Sequence, residues 1–160
     1  DAQPDLTFGW QNNFTWKNWD FSFFFRGTIG NKVLNNPRAA YANNTYLIGT
    51  NALDDELTYT MKESSRVCSY YLENGSFIRL DNLALGYTFD TKKINWLDKA
   101  RLYFAAQNLF VITGYKGLDP EVELFRGESS DTDAGLSPGI EPRQFFPKAR
   151  TFTLGVNLTF

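Results

Sequence analysis

The sequence has no histidine and a single cysteine, Cys68, among its 160 residues. Without histidine, the chain has no catalytic triad of the histidine type and no zinc or haem site with histidine ligands. One cysteine supplies neither a disulfide framework within the chain nor a thiolate metal cluster. We therefore predict no catalytic residue, no metal and no cofactor, and an enzyme is the function class with the least support.

Long apolar runs and clusters of positive charge are missing as well. The densest apolar run is FSFFF at residues 21–25, whereas a transmembrane helix needs about 20 apolar residues. The net charge is −2 and the basic residues are not clustered, which argues against a nucleic-acid partner. The sequence also has no initiator methionine and no signal peptide, so we interpret it as a mature or partial segment.

Aromatic residues make up 17% of the chain, yet its mean hydropathy is negative, at −0.37. This combination is more typical of an alternating β-barrel than of a buried core or a helical membrane protein. The alternation is clearest at residues 148–160, where every second residue from Phe152 onward is apolar and those between are small or polar. A soluble sheet and an outer-membrane barrel share this pattern, because the apolar face points to a core in one and to lipid in the other.

Five segments alternate in this way and are predicted as antiparallel strands, at residues 5–16, 19–30, 76–89, 100–112 and 148–160. Lys17 and Asn18 form a two-residue hairpin connection, in which asparagine is suited to a positive φ. The segments 31–75 and 113–147 lack regular alternation and are predicted as long loops, the first with a short helix at residues 53–61. Outer-membrane barrels have short periplasmic turns and long extracellular loops, so this alternation of connections predicts a periplasmic C-terminus.

Five strands do not close a membrane barrel, because bacterial barrels have at least about eight and an open edge in lipid leaves backbone groups unpaired. The predicted fold class is therefore all-β: the C-terminal antiparallel strands of a large transmembrane β-barrel, incomplete on its own. Four aromatic residues near strand ends are predicted to lie at the membrane interface: Trp16, Trp19, Tyr87 and Phe89. For the two tryptophans, a cross-strand pair in a soluble hairpin is the alternative.

Polar residues in the strands divide between the two faces. Arg26 and Gln107 lie on the predicted lumen side, where they either line a path through the barrel or hold a plug domain inside it by hydrogen bonds. Arg79 and Asp81 have the parity of the lipid-facing side, early in the third strand, where a charge near the interface costs little. Tyrosines in the long loops are candidate contacts for a ligand or partner, with ordinary loop packing as the alternative: Tyr41, Tyr46, Tyr59, Tyr70 and Tyr71.

Four stretches of the sequence resemble the C-terminal region of TonB-dependent outer-membrane transporters of the SusC/RagA type. They are FGWQNNFTWKNWDFSFFFRGTIGNKVLN at residues 8–35, SFIRLDNLALGYTF at 76–89, ARLYFAAQNLFVITGYKGLDPEV at 100–122 and GLSPGIEPRQFFPKARTFTLGVNLTF at 135–160. Nearly the whole chain is covered, and the segments 37–67 and 124–134 match least.

The resemblance implies a plugged barrel of about 22 strands that imports oligosaccharides or peptides with energy from the TonB complex. It implies a SusD-like surface lipoprotein as a lid. Asp119 and Glu121, in the stretch GLDPEV, are candidate contacts for a ligand or this lid, and a role in shaping their loop is the preferred interpretation. The plug domain and the segment that contacts TonB are absent from these residues. The resemblance further implies that the barrel-assembly machinery recognises the alternating residues at the end of the chain: Phe152, Leu154, Val156, Leu158 and Phe160.

Two other functions remain open on the sequence. A structural or adhesin barrel of the outer membrane would use the same strands without transport. A soluble β-sandwich that binds carbohydrate would use the same alternation, with its apolar face covered by a second sheet.

Overall fold

The computed structural model describes residues 1–42, 53–54, 69–91, 96–122, 139–143 and 146–160. Within these residues there are seven strands: β1 (Leu6–Trp16), β2 (Trp19–Ile29), β3 (Lys32–Leu34), β4 (Leu72–Asn74), β5 (Phe77–Phe89), β6 (Lys99–Thr113) and β7 (Thr151–Thr159). One short helix, α1 (Asn36–Tyr41), and a 3-10 turn at Ser69–Tyr71 complete the regular structure of this part. None of the helices in the described ranges is long and apolar enough to cross a membrane. The all-β class predicted from the sequence is confirmed.

The chain divides into two compact units. The sheet unit comprises Thr7–Gly27, Phe77–Ile112 and Lys148–Phe160. The loop unit comprises Asp1–Leu6, Thr28–Ser76 and Thr113–Pro147.

The long strands form one open five-stranded sheet in the order β1-β2-β5-β6-β7. Strands β6 and β7 are antiparallel and pair from Lys99 opposite Thr159 to Gln107 opposite Thr151. The predicted hairpin between β1 and β2 is present, but the residue with a positive φ is Lys17, at 53°, and not Asn18 as expected.

Aromatic rings pack against one another across the strands on one face of this sheet. Trp10 contacts Phe23 with ring centroids 5.2 Å apart, and the Phe14 ring stacks on Phe21 at 6.2 Å. Further along the sheet, Phe104 on β6 stacks on Phe152 of β7 at 6.2 Å. Many large apolar side chains of this face remain exposed, and no second sheet covers it within the described residues of the sheet unit. A soluble sandwich would bury this face, so the arrangement disfavours that alternative.

The alternation in β5 shifts within the strand. Asp81 forms an ion pair with Arg26 at 3.3 Å, on the polar face of β2 that also carries Asp20. Gly86 faces the same side, because a Cβ atom there would lie 2.5 Å from the Asp20 carboxylate. Residues 81 and 86 differ in parity, so the pattern moves by one residue between them, as it does at a β-bulge. Asp81 thus points to the polar face, although its place in the alternation is that of the lipid-facing side.

Asn108 interrupts β6 with a left-handed backbone, at a φ of 52°. Its side-chain oxygen accepts a hydrogen bond from Arg79, and its Nδ2 donates to the carbonyl of Lys148 at 2.6 Å. Arg79 is only 1% exposed, so its charged group is buried rather than placed at the membrane interface by its parity alone. Strand β7 begins at Thr151 rather than at residue 148, and Lys148, which Asn108 binds, lies before the strand.

The loop unit contains structure that the alternation pattern did not indicate. Strand β3 pairs antiparallel with β4, with Val33 opposite Glu73. Helix α1 follows directly, and the Asn35 side chain caps it by accepting a hydrogen bond from the Arg38 amide at 2.9 Å. The helix predicted over residues 53–61 lies, except for residues 53 and 54, outside the described residues.

Candidate functional site

A cavity of about 220 Å³ lies within the loop unit. Its lining surface is mostly apolar, with a few polar and charged residues among which Glu141 is fully buried, at 0% exposure. The lining residues are Asn35, Pro37, Arg38, Leu53, Asp54, Lys116, Gly117, Leu118 and Glu141.

Glu141 joins three stretches of the loop unit. Its Oε2 accepts a hydrogen bond from the Tyr115 hydroxyl at 2.5 Å, and its Oε1 accepts one from the Leu118 amide at 3.0 Å. Its own backbone amide donates to the carbonyl of Leu34 in β3 at 3.0 Å. Gly117 allows this close packing, because a Cβ atom there would collide with both Glu141 and the Tyr115 ring.

Glu73 on β4 binds the same stretch from another element. Its Oε2 accepts a hydrogen bond from the Lys116 amide at 2.8 Å. Its Oε1 accepts from Asn35 at 3.3 Å and forms an ion pair with Arg38 at 3.1 Å. The amides of residues 116 and 118 are thus each held by one carboxylate, and these two carboxylates fix one wall of the cavity.

Burial raises the pKa of Glu141 above its ordinary value of 4.5, because desolvation outweighs the hydrogen bonds from Tyr115 and Leu118, which act to lower it. The negative charges of Glu73 and Asp119 raise it further. Burial, together with the hydrogen bond to Glu141, also raises the pKa of the Tyr115 hydroxyl well above its usual range. Tyr115 therefore remains a hydrogen-bond donor at neutral pH.

The two carboxylates are suited to holding the backbone of residues 115–118 in place beside the cavity. No group of three or more Cys, Asp or Glu residues in the described ranges is arranged to hold a metal ion. Sequence reasoning did not single out Glu141, Tyr115 or Glu73. A signal for Tyr115 lies in the stretch GYKGLDPEV, which carries part of the resemblance but was interpreted only through its acidic residues.

The acidic residues chosen from that stretch have a local structural role. Asp119 is 3% exposed, and its Oδ1 accepts a hydrogen bond from the Glu121 amide at 2.9 Å, which shapes the turn around Pro120. The geometry favours loop architecture, the second of the two roles considered for Asp119.

The candidate tyrosines separate into different environments. Tyr70 is 59% exposed, and the Arg38 guanidinium lies 5.6 Å from its ring centroid. Tyr71 is 1% exposed, so its ring belongs to the core of the loop unit and offers no contact surface. Tyr41 is half-buried at the end of α1. Tyr46 and Tyr59 lie outside the described residues.

Aromatic residues gather near the hairpin ends of the sheet. Trp19 packs on Tyr87 with centroids 4.7 Å apart, and Tyr87 packs on Phe89 at 4.8 Å, so these three predicted interface residues form one cluster. Trp16 is apart from this cluster, and the Lys17 ammonium lies 5.1 Å from its ring centroid. The sequence analysis missed a further pair, Trp96 stacked on Phe160 with centroids 5.8 Å apart.

The apolar residues proposed as an assembly signal are exposed along β7. Their exposed fractions range from 49% for Leu158 to 73% for Leu154 and Phe160. Together with Phe152 and Val156 they form one continuous apolar stripe.

The polar face of the sheet carries an ion pair that spans a strand. The guanidinium of Arg101 on β6 donates two hydrogen bonds to the Asp20 carboxylate on β2, at 3.1 and 2.5 Å. The intervening strand, β5, has Gly86 beneath the pair. Arg101 also lies 5.6 Å from the centroid of Tyr103, whose ring covers Gly155 on β7.

The chain is similar over its whole length to known receptors. It is 34% identical to TonB-dependent receptor P3 of Formosa agariphila over 100% of this chain, and 31% identical to TonB-dependent receptor SusC of Bacteroides thetaiotaomicron over 98%. The matches cover 17% and 15% of those proteins, so the chain spans about one-sixth of their length. No protein-family profile matches the chain.

A solved structure shows the same fold. A chain of the RagAB peptide transporter aligns with 99% of this chain at a TM-score of 0.72 and 26% identity, and the match covers 17% of that chain. The matching proteins are receptors and a transporter, in agreement with the prediction that the chain is not an enzyme. The chain belongs to the SusC/RagA type of TonB-dependent outer-membrane receptors, and its open sheet is a section of their β-barrel, incomplete on its own.

Proposed function

We propose that the protein is an outer-membrane importer of large nutrients, either oligosaccharides or peptides, and that this chain supplies part of the barrel wall. One observation carries the proposal: the chain matches SusC and a RagAB chain along its whole length while its sheet leaves an apolar face exposed. Such a face is stable when it points to lipid. Energy for import comes from the TonB complex, through a segment of the protein outside these residues.

The long connections face the outside of the cell in this proposal, and the short ones face the periplasm. Chain connectivity supports it, because the two-residue hairpin and the β5–β6 connection join strand ends of one polarity. The much longer connections join the opposite ends, and outer-membrane barrels place such loops outside. The end of β7 is then periplasmic, where the barrel-assembly machinery would meet its apolar stripe.

A SusD-like lipoprotein covers the loop unit as a lid in this proposal. Tyr70, whose ring is exposed beside Arg38, is the described tyrosine best placed to contact the lid or a ligand. An exposed ring next to a guanidinium presents a flat, partly charged surface of the kind that partner proteins and sugars contact.

Gene deletion in the source bacterium tests the import function. Cells with and without the gene are supplied with defined mixtures of oligosaccharides or peptides, and depletion of each compound from the medium is measured by mass spectrometry. We expect the deletion to abolish depletion of one class of compound, and the intact gene, but not one lacking the TonB-contacting segment, to restore it. Unchanged depletion of every compound would favour a structural or adhesin barrel.

Epitope insertion tests the orientation. One tag is placed between Lys17 and Asn18 and another within residues 124–134, and antibody labelling is measured on intact and on permeabilised cells. We expect the second tag to be labelled on intact cells and the first only after permeabilisation. The reverse pattern would place β7 with its end outside the cell.

A further inference from the structure

Two carboxylates hold one short stretch of backbone in the loop unit, residues 115–118, which we call the strap. Glu73 accepts from the Lys116 amide and Glu141 accepts from the Leu118 amide. Three of the four strap residues line the cavity. The position of this wall therefore depends on two acidic side chains from distant parts of the sequence.

The two carboxylates differ in their charge environment. Glu73 forms an ion pair with Arg38. The side-chain contacts of Glu141, as far as the described residues show them, are hydrogen bonds from the neutral donors Tyr115 and Leu118. A carboxylate that is fully buried is costly to ionise, and the hydrogen bonds from two neutral donors offset only part of that cost.

We propose that Glu141 is a positioning residue that couples the strap to proton binding, so that the cavity wall is held most firmly when Glu141 is protonated and loosens as it ionises. This coupling between Glu141 and the strap involves residues of the loop unit alone and does not depend on what the protein transports. Glu141 lies on the segment that bridges to β3, next to the cavity, so that opening of the strap exposes its buried carboxyl group to water.

The charged groups around Glu141 determine the sign of the effect. Asp119 and Glu73 are negative and oppose its ionisation. Tyr115 stays neutral, and the other charged groups at the cavity are Lys116, Arg38 and Asp54. Because the pKa of Glu141 is raised in the folded state, Glu141 binds its proton more tightly when the strap is closed than when it is open. The stabilisation is complete below the ordinary value of 4.5 and is lost as pH rises through the higher folded value.

Hydrogen exchange of the intact protein in detergent, followed by mass spectrometry, measures the strap directly. The protection of peptides that cover residues 113–122 is recorded from pH 4.5 to 8 and divided by the intrinsic exchange rate at each pH. We expect protection to fall with rising pH, by at most about tenfold per pH unit, because one proton is released on opening.

Glu141→Gln keeps an oxygen for the Leu118 amide and cannot ionise. Its amide group lies opposite the Tyr115 hydroxyl, whose oxygen then accepts a hydrogen bond instead of donating one. We expect this variant to show protection that is independent of pH and higher than that of the natural protein at pH 8. Glu121→Gln is the matched control, since it removes the same charge from the neighbouring turn, and it should retain the natural pH profile. A flat profile in the natural protein, or an unchanged slope in Glu141→Gln, would overturn the proposal. Loss of the slope in Glu121→Gln would overturn it as well.

Discussion

Replacing Gly86 by alanine tests whether the ion pair between Asp20 and Arg101 requires a bare backbone beneath it. A Cβ atom at residue 86 would lie 2.5 Å from the Arg101 Nη2 atom and from both Asp20 carboxylate oxygens. Carbon atoms in proteins do not approach so closely, and the two side chains are already held by hydrogen bonds of 3.1 and 2.5 Å. The substitution must therefore displace or separate the pair.

Two effects of opposite sign set the size of the change. Alanine in a strand is favoured over glycine by about 0.5–1 kcal/mol, because it loses less backbone entropy on folding. The Arg101 and Asp20 side chains are 31% and 40% exposed, so their interaction is screened by solvent. Its loss costs at most about 1 kcal/mol, and the displaced atoms are the ends of two flexible side chains, so their movement adds little. We expect Gly86→Ala to lower the free energy of unfolding by less than about 1 kcal/mol.

The same substitution should have the opposite sign once the pair is removed. In an Asp20→Ala background, we expect Gly86→Ala to raise the free energy of unfolding by about 0.5 kcal/mol. The four proteins form a double-mutant cycle, measured by denaturant unfolding of the full protein in lipid vesicles with tryptophan fluorescence. Gly114→Ala is the control, since a Cβ atom there meets nothing within 4 Å. Equal effects at residues 86 and 114, or a cycle without coupling, would refute the contact.

Three further substitutions probe the sheet. Gly155→Ala should displace the Tyr103 ring that covers it and lower the free energy of unfolding by about 1 kcal/mol. Tyr103→Ala should remove that penalty, and a penalty that persists in the double variant would contradict the contact. Leu154→Arg places a charge on the apolar stripe of β7 and should cost up to about 2–4 kcal/mol on folding into vesicles. Thr153→Arg, one residue away on the polar face, should cost much less, and equal costs would argue against lipid on the stripe. Asn108→Ala removes the acceptor of Arg79 and the donor to Lys148 and should cost about 1–3 kcal/mol. Asn108→Asp keeps the acceptor but loses the donor and should cost less, as urea titration would show; an Asn108→Ala variant as stable as the natural protein would exclude the contact.

Period-two alternation was sufficient to predict the class and the five long strands, because the alternation of apolar and polar side chains between two faces is a local property of a strand. It failed where a strand is irregular. The shift within β5 between Asp81 and Gly86 depends on ion pairing with β2, and nothing in the sequence next to Asp81 reveals that partner. The left-handed Asn108 is a similar case, since its side chain binds Arg79 of β5 and Lys148 in the segment before β7.

The candidate site was harder to predict than the fold. Glu141 and Glu73 lie far apart in the sequence, and each is an ordinary acidic residue in a polar loop. They act together only because β3 pairs with β4 and because Leu34 bridges to Ile140. The tyrosines were chosen for their chemistry alone, and burial, which separates Tyr70 from Tyr71, is not encoded in the residue type.

The pair of Asp20 and Arg101 also bears on how the strands find their alignment. Asp20 and Arg101 belong to two different hairpins, and they can meet only when the strand between them presents a residue without a side chain. A slip of β5 by one residue relative to its neighbours would bring Leu85 or Tyr87 under the charges in place of Gly86, since a one-residue slip turns every side chain to the opposite face. Neither side chain fits where even a methyl group collides. The glycine and the ion pair thus select the correct register together, because in a sheet misaligned by one residue a side chain would collide with the two charged groups.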